Sequence, residues 1–180
     1  MYNLVMKYIV DTDNLNDKLI SKFKVGDKLY LYGKVYTARD QAHRRLYEIL
    51  NSKKELPICL KNKVIYYTGP TPKRKNSVIG ACGPTTSSRM DLYTPALVDA
   101  GLKMLVGKGR RSKEVIRKLK RKKGVYVIAP AGCGAYLSTK ILKSKAIAFK
   151  DLGAEAIFEL EIKDFPVIVC IDSRGNYLYK

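Results

Sequence analysis

With 180 residues and 46% apolar content, the chain has the size and composition of a folded domain with a buried core. Its formal charge of +19 points either to an anionic partner (nucleic acid, membrane surface, acidic protein or acidic substrate) or to a lysine-rich solvated surface. Four cysteines without a C-x-x-C pair and a single histidine exclude the usual zinc and iron–sulfur ligand sets within this chain, and no apolar run is long enough to cross a bilayer.

Residues 1–24 mix apolar and polar positions without a clean period and read as a strand with a short helix, or as an N-terminal arm. A turn at Gly26-Asp27 opens a strand over 28–36, where Leu29, Leu31, Gly33 and Val35 alternate with Tyr30, Tyr32, Lys34 and Tyr36. Thr37 is the expected cap of a helix through Arg39, Asp40, His43, Leu46 and Leu50. A short strand follows at 64–67. The segment Gly69-Pro70-Thr71-Pro72 must be irregular, because two prolines there forbid both ladder and helix.

The apolar run 78–82 reads as a buried strand. It feeds Gly83-Pro84-Thr85-Thr86-Ser87-Ser88-Arg89-Met90-Asp91, which sets four hydroxyl residues and an arginine at a strand-to-helix turn. In an α/β protein such a turn exposes backbone N–H groups and can bind an anion; the alternative is an elaborate N-cap. Thr94-Pro95 then opens a helix through Leu97, Leu102 and Leu105 that stops at Gly107-Lys108-Gly109. The stretch from Gly101 to Gly109 is not a P-loop, since five residues separate its first two glycines and no hydroxyl follows Lys108.

Residues 110–123 hold nine cations, with Val115, Ile116 and Leu119 at helical spacing, and read as an amphipathic helix with a solvated basic face or as a polyanion footprint. Strands are expected at 125–129, 146–149 and 167–171. A small-residue turn at 131–135 leads into a helix, a further short helix spans 154–160, and a turn lies at Arg174-Gly175-Asn176. Strands and helices alternate from about residue 64, so the class is α/β, with 1–180 as a single domain without repeats. Unpaired cysteines and no recognisable leader lead to the expectation of reduced thiols in a cytoplasmic protein.

Three cations stand out by placement: Arg39 in the first turn of its helix, Arg89 in the hydroxyl-rich turn, and Lys108 between two glycines. Each also has a plain reading, as a surface charge or a complement to a helix end. His43 lies four residues after Arg39 on the same helix face and reads as a packing or hydrogen-bonding residue.

The run Tyr67-Thr68-Gly69-Pro70-Thr71-Pro72, together with Ile79-Gly80 and the segment Gly83 to Asp91, resembles the β subunit of class I fumarase. That subunit is equivalent to the C-terminal domain of single-chain class I fumarases and is shared with L-tartrate dehydratase. Further matching pieces are Thr37-Ala38-Arg39-Asp40-Gln41-Ala42-His43, Tyr93-Thr94-Pro95-Ala96-Leu97, Gly107-Lys108-Gly109, Asp151-Leu152-Gly153 with Glu155-Ala156, and Asp164-Phe165-Pro166 followed by Asp172-Ser173.

The resemblance implies a swivelling β/β/α-type domain with a mixed sheet and packed helices, and the reversible hydration of fumarate to (S)-malate. It implies a partner α subunit that holds a [4Fe–4S] cluster through three cysteines, so that this chain binds no metal and is inactive alone. It places Arg39, Arg89 and Lys108 on the dicarboxylate, and Thr85 as the proposed catalytic base, assisted by an aspartate of the α subunit. Tartrate is the alternative substrate. Two readings of other kinds remain open on the residues: a nucleic-acid-binding module using the basic run and some of the 13 tyrosines, and a purely structural subunit.

Overall fold

The computed structural model describes residues 5–179. Strand β1 (Lys7–Asp11) lies parallel to β2 (Lys28–Thr37), with a 3-10 turn at Thr12–Asn14 and the one-turn helix α1 (Asp17–Ile20) between them. Helix α2 (Asp40–Asn51) then leads to β3 (Val64–Tyr66). A long irregular segment, a 3-10 turn at Ser87–Met90 and α3 (Thr94–Asp99) lead to β4 (Met104–Gly107), and α4 (Lys113–Lys122) leads to β5 (Val125–Ile128). Strands β2, β3, β4 and β5 are parallel neighbours in that order. The short α5 (Gly134–Ser138), β6 (Ile141–Ala148) and a 3-10 segment at Lys150–Glu155 precede the 15-residue strand β7 (Ile157–Ile171). β7 runs antiparallel to β5, to β6 and to β2, and so closes the sheet into a barrel of β2, β3, β4, β5 and β7. The result is the α/β domain with a mixed sheet and packed helices that the sequence predicts.

Period-two alternation explains why both faces of the short parallel strands are apolar. Val64, Tyr66, Met104, Val106, Val125 and Val127 belong to one buried cluster with Leu29, Leu31 and Val167. Their neighbours Ile65, Tyr67, Leu105 and Tyr126 belong to a second cluster, shared with Leu46 of α2, Leu97 of α3 and Val115 and Leu119 of α4. The first fills the barrel and the second seats the helices. On α4 the basic residues are left outward, and Asp99 pairs with Lys118, Arg121 and Lys122.

Several elements differ from the sequence expectation. The run 78–82 forms no strand. It closes on the proline-rich loop instead: Thr71 N–H donates to the Ala81 carbonyl at 3.1 Å, and Ala81 N–H donates to Thr71 Oγ1 at 2.9 Å. Pro70 and Pro72 have no N–H to offer a ladder, so one local clasp replaces it. The helix expected to run from Thr94 to Leu105 ends at Asp99, because Gly101 takes a φ of +105° that breaks it, and Met104–Gly107 is strand β4. Lys108 therefore follows a strand, not a helix. Of residues 154–160 only Ala154 and Glu155 are helical, as the end of the 3-10 segment. The apolar spacing of Ile157 and Leu160 mimics a helix, but β7 starts at Ile157 and sends Glu159 to Lys34 and Glu161 to Lys143. Thr37 ends β2 rather than capping α2. Its buried hydroxyl donates to the Ala156 carbonyl at 3.2 Å and accepts from Phe158 N–H at 2.9 Å, tying β2 to the start of β7.

Candidate functional site

The carboxyl ends of parallel strands in an open or barrel α/β sheet are where connecting loops converge and ligands bind. Here β2 ends at Thr37 and is followed by Arg39. β3 ends at Tyr66 and is followed by Tyr67 and Thr68, and β4 ends at Gly107 and is followed by Lys108. The hydroxyl-rich segment lies across these three ends. Thr85 N–H donates to the Tyr67 carbonyl at 2.6 Å, Thr86 forms an isolated parallel bridge with Lys108, and Ser87 N–H donates to the Lys108 carbonyl at 2.9 Å. Below it, Tyr66 donates to the Cys82 carbonyl at 2.5 Å and Thr68 to the Gly83 carbonyl at 2.8 Å. Buried hydroxyls of β3 thus replace the strand expected at 78–82 as the anchor of this loop.

The four hydroxyls are not equivalent. Ser87 is fully buried, and its oxygen accepts from the Lys108 backbone N–H at 3.1 Å and from the Tyr126 hydroxyl at 3.0 Å. It is a structural pin. Thr85 is half-buried, and among the described residues nothing hydrogen-bonds its hydroxyl.

Arg39 and Arg89 are brought together through a residue whose role sequence reasoning missed. Asp40, the first residue of α2, accepts from Arg89 Nη2 at 2.6 Å and lies 3.6 Å from Arg39 Nε. Arg39 Nε also lies 3.5 Å from Glu155. Arg39 is the N-cap residue of α2 and makes no side-chain cap of its own. The signal for Asp40 was its place beside Arg39 in a first helical turn, a pattern too common to single it out. A cavity of about 500 Å³ opens beside Thr86 and Lys108, walled mainly by apolar groups such as Ile128, Pro130 and Val167; neither Arg39 nor Arg89 lines it.

His43 is wholly buried beneath this corner. Its Nδ1 lies 3.1 Å from the Arg39 carbonyl, and its ring meets Tyr67 edge to face at 4.9 Å. A carbonyl only accepts, so the proton sits on Nδ1 and the ring is neutral. Nε2 is buried with no partner. Burial pushes the imidazole down from its ordinary value of 6.5 to about 4, and the Arg111 charge adds to this. Between those two values the unfolded chain binds the proton and the folded chain does not, so stability falls as the pH drops through that window. The total loss is about 3 kcal/mol. His43→Gln should flatten this acid limb in urea titrations run from pH 7 to pH 4; an unchanged slope would assign it to another group.

Arg111 corrects the reading of the basic run. It precedes α4 instead of joining its solvated face, and its side chain is completely buried against Asp91 at 2.6 Å and Thr94 at 2.8 Å. It lies over the rings of Tyr67 and Tyr126 at 5.2 and 5.0 Å.

The residues present do not fit an iron–sulfur cluster. Cys82 and Cys170 are buried, and burial pushes their thiols up to about 11 and about 12, the opposite of what a thiolate ligand needs. Among the described residues no group of three or more His, Cys, Asp or Glu could hold a metal ion. No helix among them is long and apolar enough to cross a membrane.

A family model described as the fumarase C-terminus matches residues 5–180. The chain belongs to this family. It is 41% identical to a protein named putative L(+)-tartrate dehydratase subunit beta from Methanocaldococcus jannaschii, over 93% of this chain and 89% of that protein. It is 33% identical to L(+)-tartrate dehydratase subunit beta from Escherichia coli, over 96% of this chain and 87% of that protein. It is also 35% identical to the anaerobic class I fumarate hydratase of Escherichia coli, over 89% of this chain but only 30% of that longer protein. The chain thus spans nearly the whole of the tartrate dehydratase β subunits and under a third of the fumarate hydratase. Within the fumarase C-terminus family, its relatives are hydro-lyases of these two kinds.

Proposed function

We propose that the chain is the β subunit of a class I fumarate hydratase, in which Arg39, Arg89 and Lys108 bind the two carboxylates of fumarate or (S)-malate. The observation that carries this reading is the meeting of Arg39 and Arg89 on one carboxylate, Asp40, beside a hydroxyl-rich segment bridged to Lys108. A guanidinium fork suits a planar carboxylate. Removing the C3 proton of malate loads charge onto the adjacent carboxylate, and cations aimed there stabilise that charge most in the transition state. Thr85 is the proposed base. A threonine hydroxyl is feeble unaided, and the described residues offer it no partner, so in this reading a carboxylate from an α subunit completes the pair. The [4Fe–4S] cluster belongs to that α subunit.

A second reading, L-tartrate dehydratase, is favoured by the 41% relative, which matches this chain in length. The same cations would serve it. Co-purification of the chain with its partner, followed by side-by-side assays on malate and L-tartrate, decides between them. The isolated chain should show no turnover on either acid. Turnover by the metal-free chain alone would overturn the division of labour.

A further inference from the structure

Glu155 occupies an unusual junction. It ends the 3-10 segment before β7, far in sequence from α2, yet its Oε2 accepts from the backbone N–H of Gln41 at 2.7 Å. This N–H is one of the donors left open in the first turn of α2, which has no side-chain cap from its own N-cap residue. The other oxygen, Oε1, lies 3.5 Å from Nε of Arg39. One carboxylate therefore caps the helix by a hydrogen bond and sits as a charge partner beside the arginine that starts it, whose buried Nε makes no hydrogen bond among the described residues. A second tie keeps the two elements together: Arg45 of α2 makes paired bonds to Asp151 at 2.9 and 2.6 Å. The Arg39 side chain also runs against Gly69, where an added Cβ would come within 2.8 Å of Arg39 Cδ and Nη1 and 3.0 Å of the Ala154 carbonyl, next to Glu155.

We propose that Glu155 is the positioning residue of the anion site. Its charge sits beside the buried Arg39 Nε, which has no hydrogen-bond partner among the described residues, and draws the guanidinium so that its two terminal nitrogens remain for a ligand carboxylate, while Gly69 supplies the bare backbone that lets the side chain lie in this slot. The kinetic part of this proposal rests on the functional reading above; the positional part does not. Glutamine at 155 keeps an oxygen for the Gln41 N–H but removes the negative charge beside Arg39, so Glu155→Gln tests the charge and spares the cap.

The test uses two readouts. In the isolated full-length chain labelled with ¹⁵N, the Arg39 Nε–H signal, assigned by its loss in Arg39→Lys, should be slow to exchange with solvent and should speed at least tenfold in Glu155→Gln. An unchanged rate overturns the positional claim whatever the protein's substrate. In the complex with its partner, Glu155→Gln should raise KM roughly fivefold, the scale of one lost ion pair, with kcat changed less than twofold. Gly69→Ala should do the same by crowding Arg39, and the two changes should not add. In an Arg39→Lys background Glu155→Gln should have no further effect on KM. An equal effect in both backgrounds would reduce Glu155 to a helix cap and overturn the proposal. If the wild-type complex turns over neither malate nor tartrate, the functional reading fails and the exchange measurement still decides the positional one.

Discussion

Replacing Arg89 with alanine will lower turnover of the assembled enzyme by about 10²–10³, by analogy with the loss of a single oxyanion donor. The same change will hardly affect folding. The Arg89 side chain is about half exposed, at 49%, and its one bond among the described residues is to Asp40 at 2.6 Å. An ion pair of that kind contributes at most about 1 kcal/mol. Large loss of activity with an unshifted melting curve is therefore the expected signature. Arg89→Lys keeps the charge but lacks the planar fork, and should recover only part of the rate. A loss under threefold for the alanine variant, measured on folded complex, would remove Arg89 from the site.

The converse is expected at Arg111. Arg111→Ala will destabilise the domain by about 3–5 kcal/mol, the cost of breaking a buried pair by removing one partner. The guanidinium spans Asp91, Thr94 and the Tyr67 and Tyr126 rings, and the Arg111 backbone N–H donates to the Tyr177 hydroxyl at 2.9 Å. Asp91 in turn accepts from Ser112 N–H, at the N-cap of α4. Deleting the side chain leaves Asp91 short of its counter-charge and undermines the segment that carries Thr85 and Arg89. Urea unfolding of the isolated chain measures this. A control at Lys120, on the exposed face of α4, should shift stability by no more than about 0.5 kcal/mol. A small effect at Arg111 would mean that the site relaxes or hydrates when emptied.

These two arginines also show what the sequence could and could not reveal. Arg89 was legible because four hydroxyls around one arginine, after an apolar run, is a local pattern with a chemical meaning. Arg111 was not, because it opens a run of lysines and arginines whose periodicity describes α4 correctly and says nothing of the residue before it. β2 was legible from strict alternation. β4 was not, since Leu102 and Leu105 continue the spacing of α3 and only the backbone sign at Gly101 separates helix from strand. The first half of β7 was hidden for a related reason: Glu159 and Glu161 face lysines of two different strands, a pairing invisible until the sheet is assembled. Asp40 and Glu155 share that property. Each earns meaning only from residues distant in sequence, so local reading treats both as solvated charges.

The order of the strands carries a consequence for biosynthesis. Lys28 finds its cross-strand neighbour in Ile168, 140 residues later. Until residues 157–171 have been synthesised, β2 and β5 both present unsatisfied ladder groups. Completion of the barrel must wait for β7 to leave the ribosome, making newly made molecules of this protein most prone to association with one another just before that strand arrives.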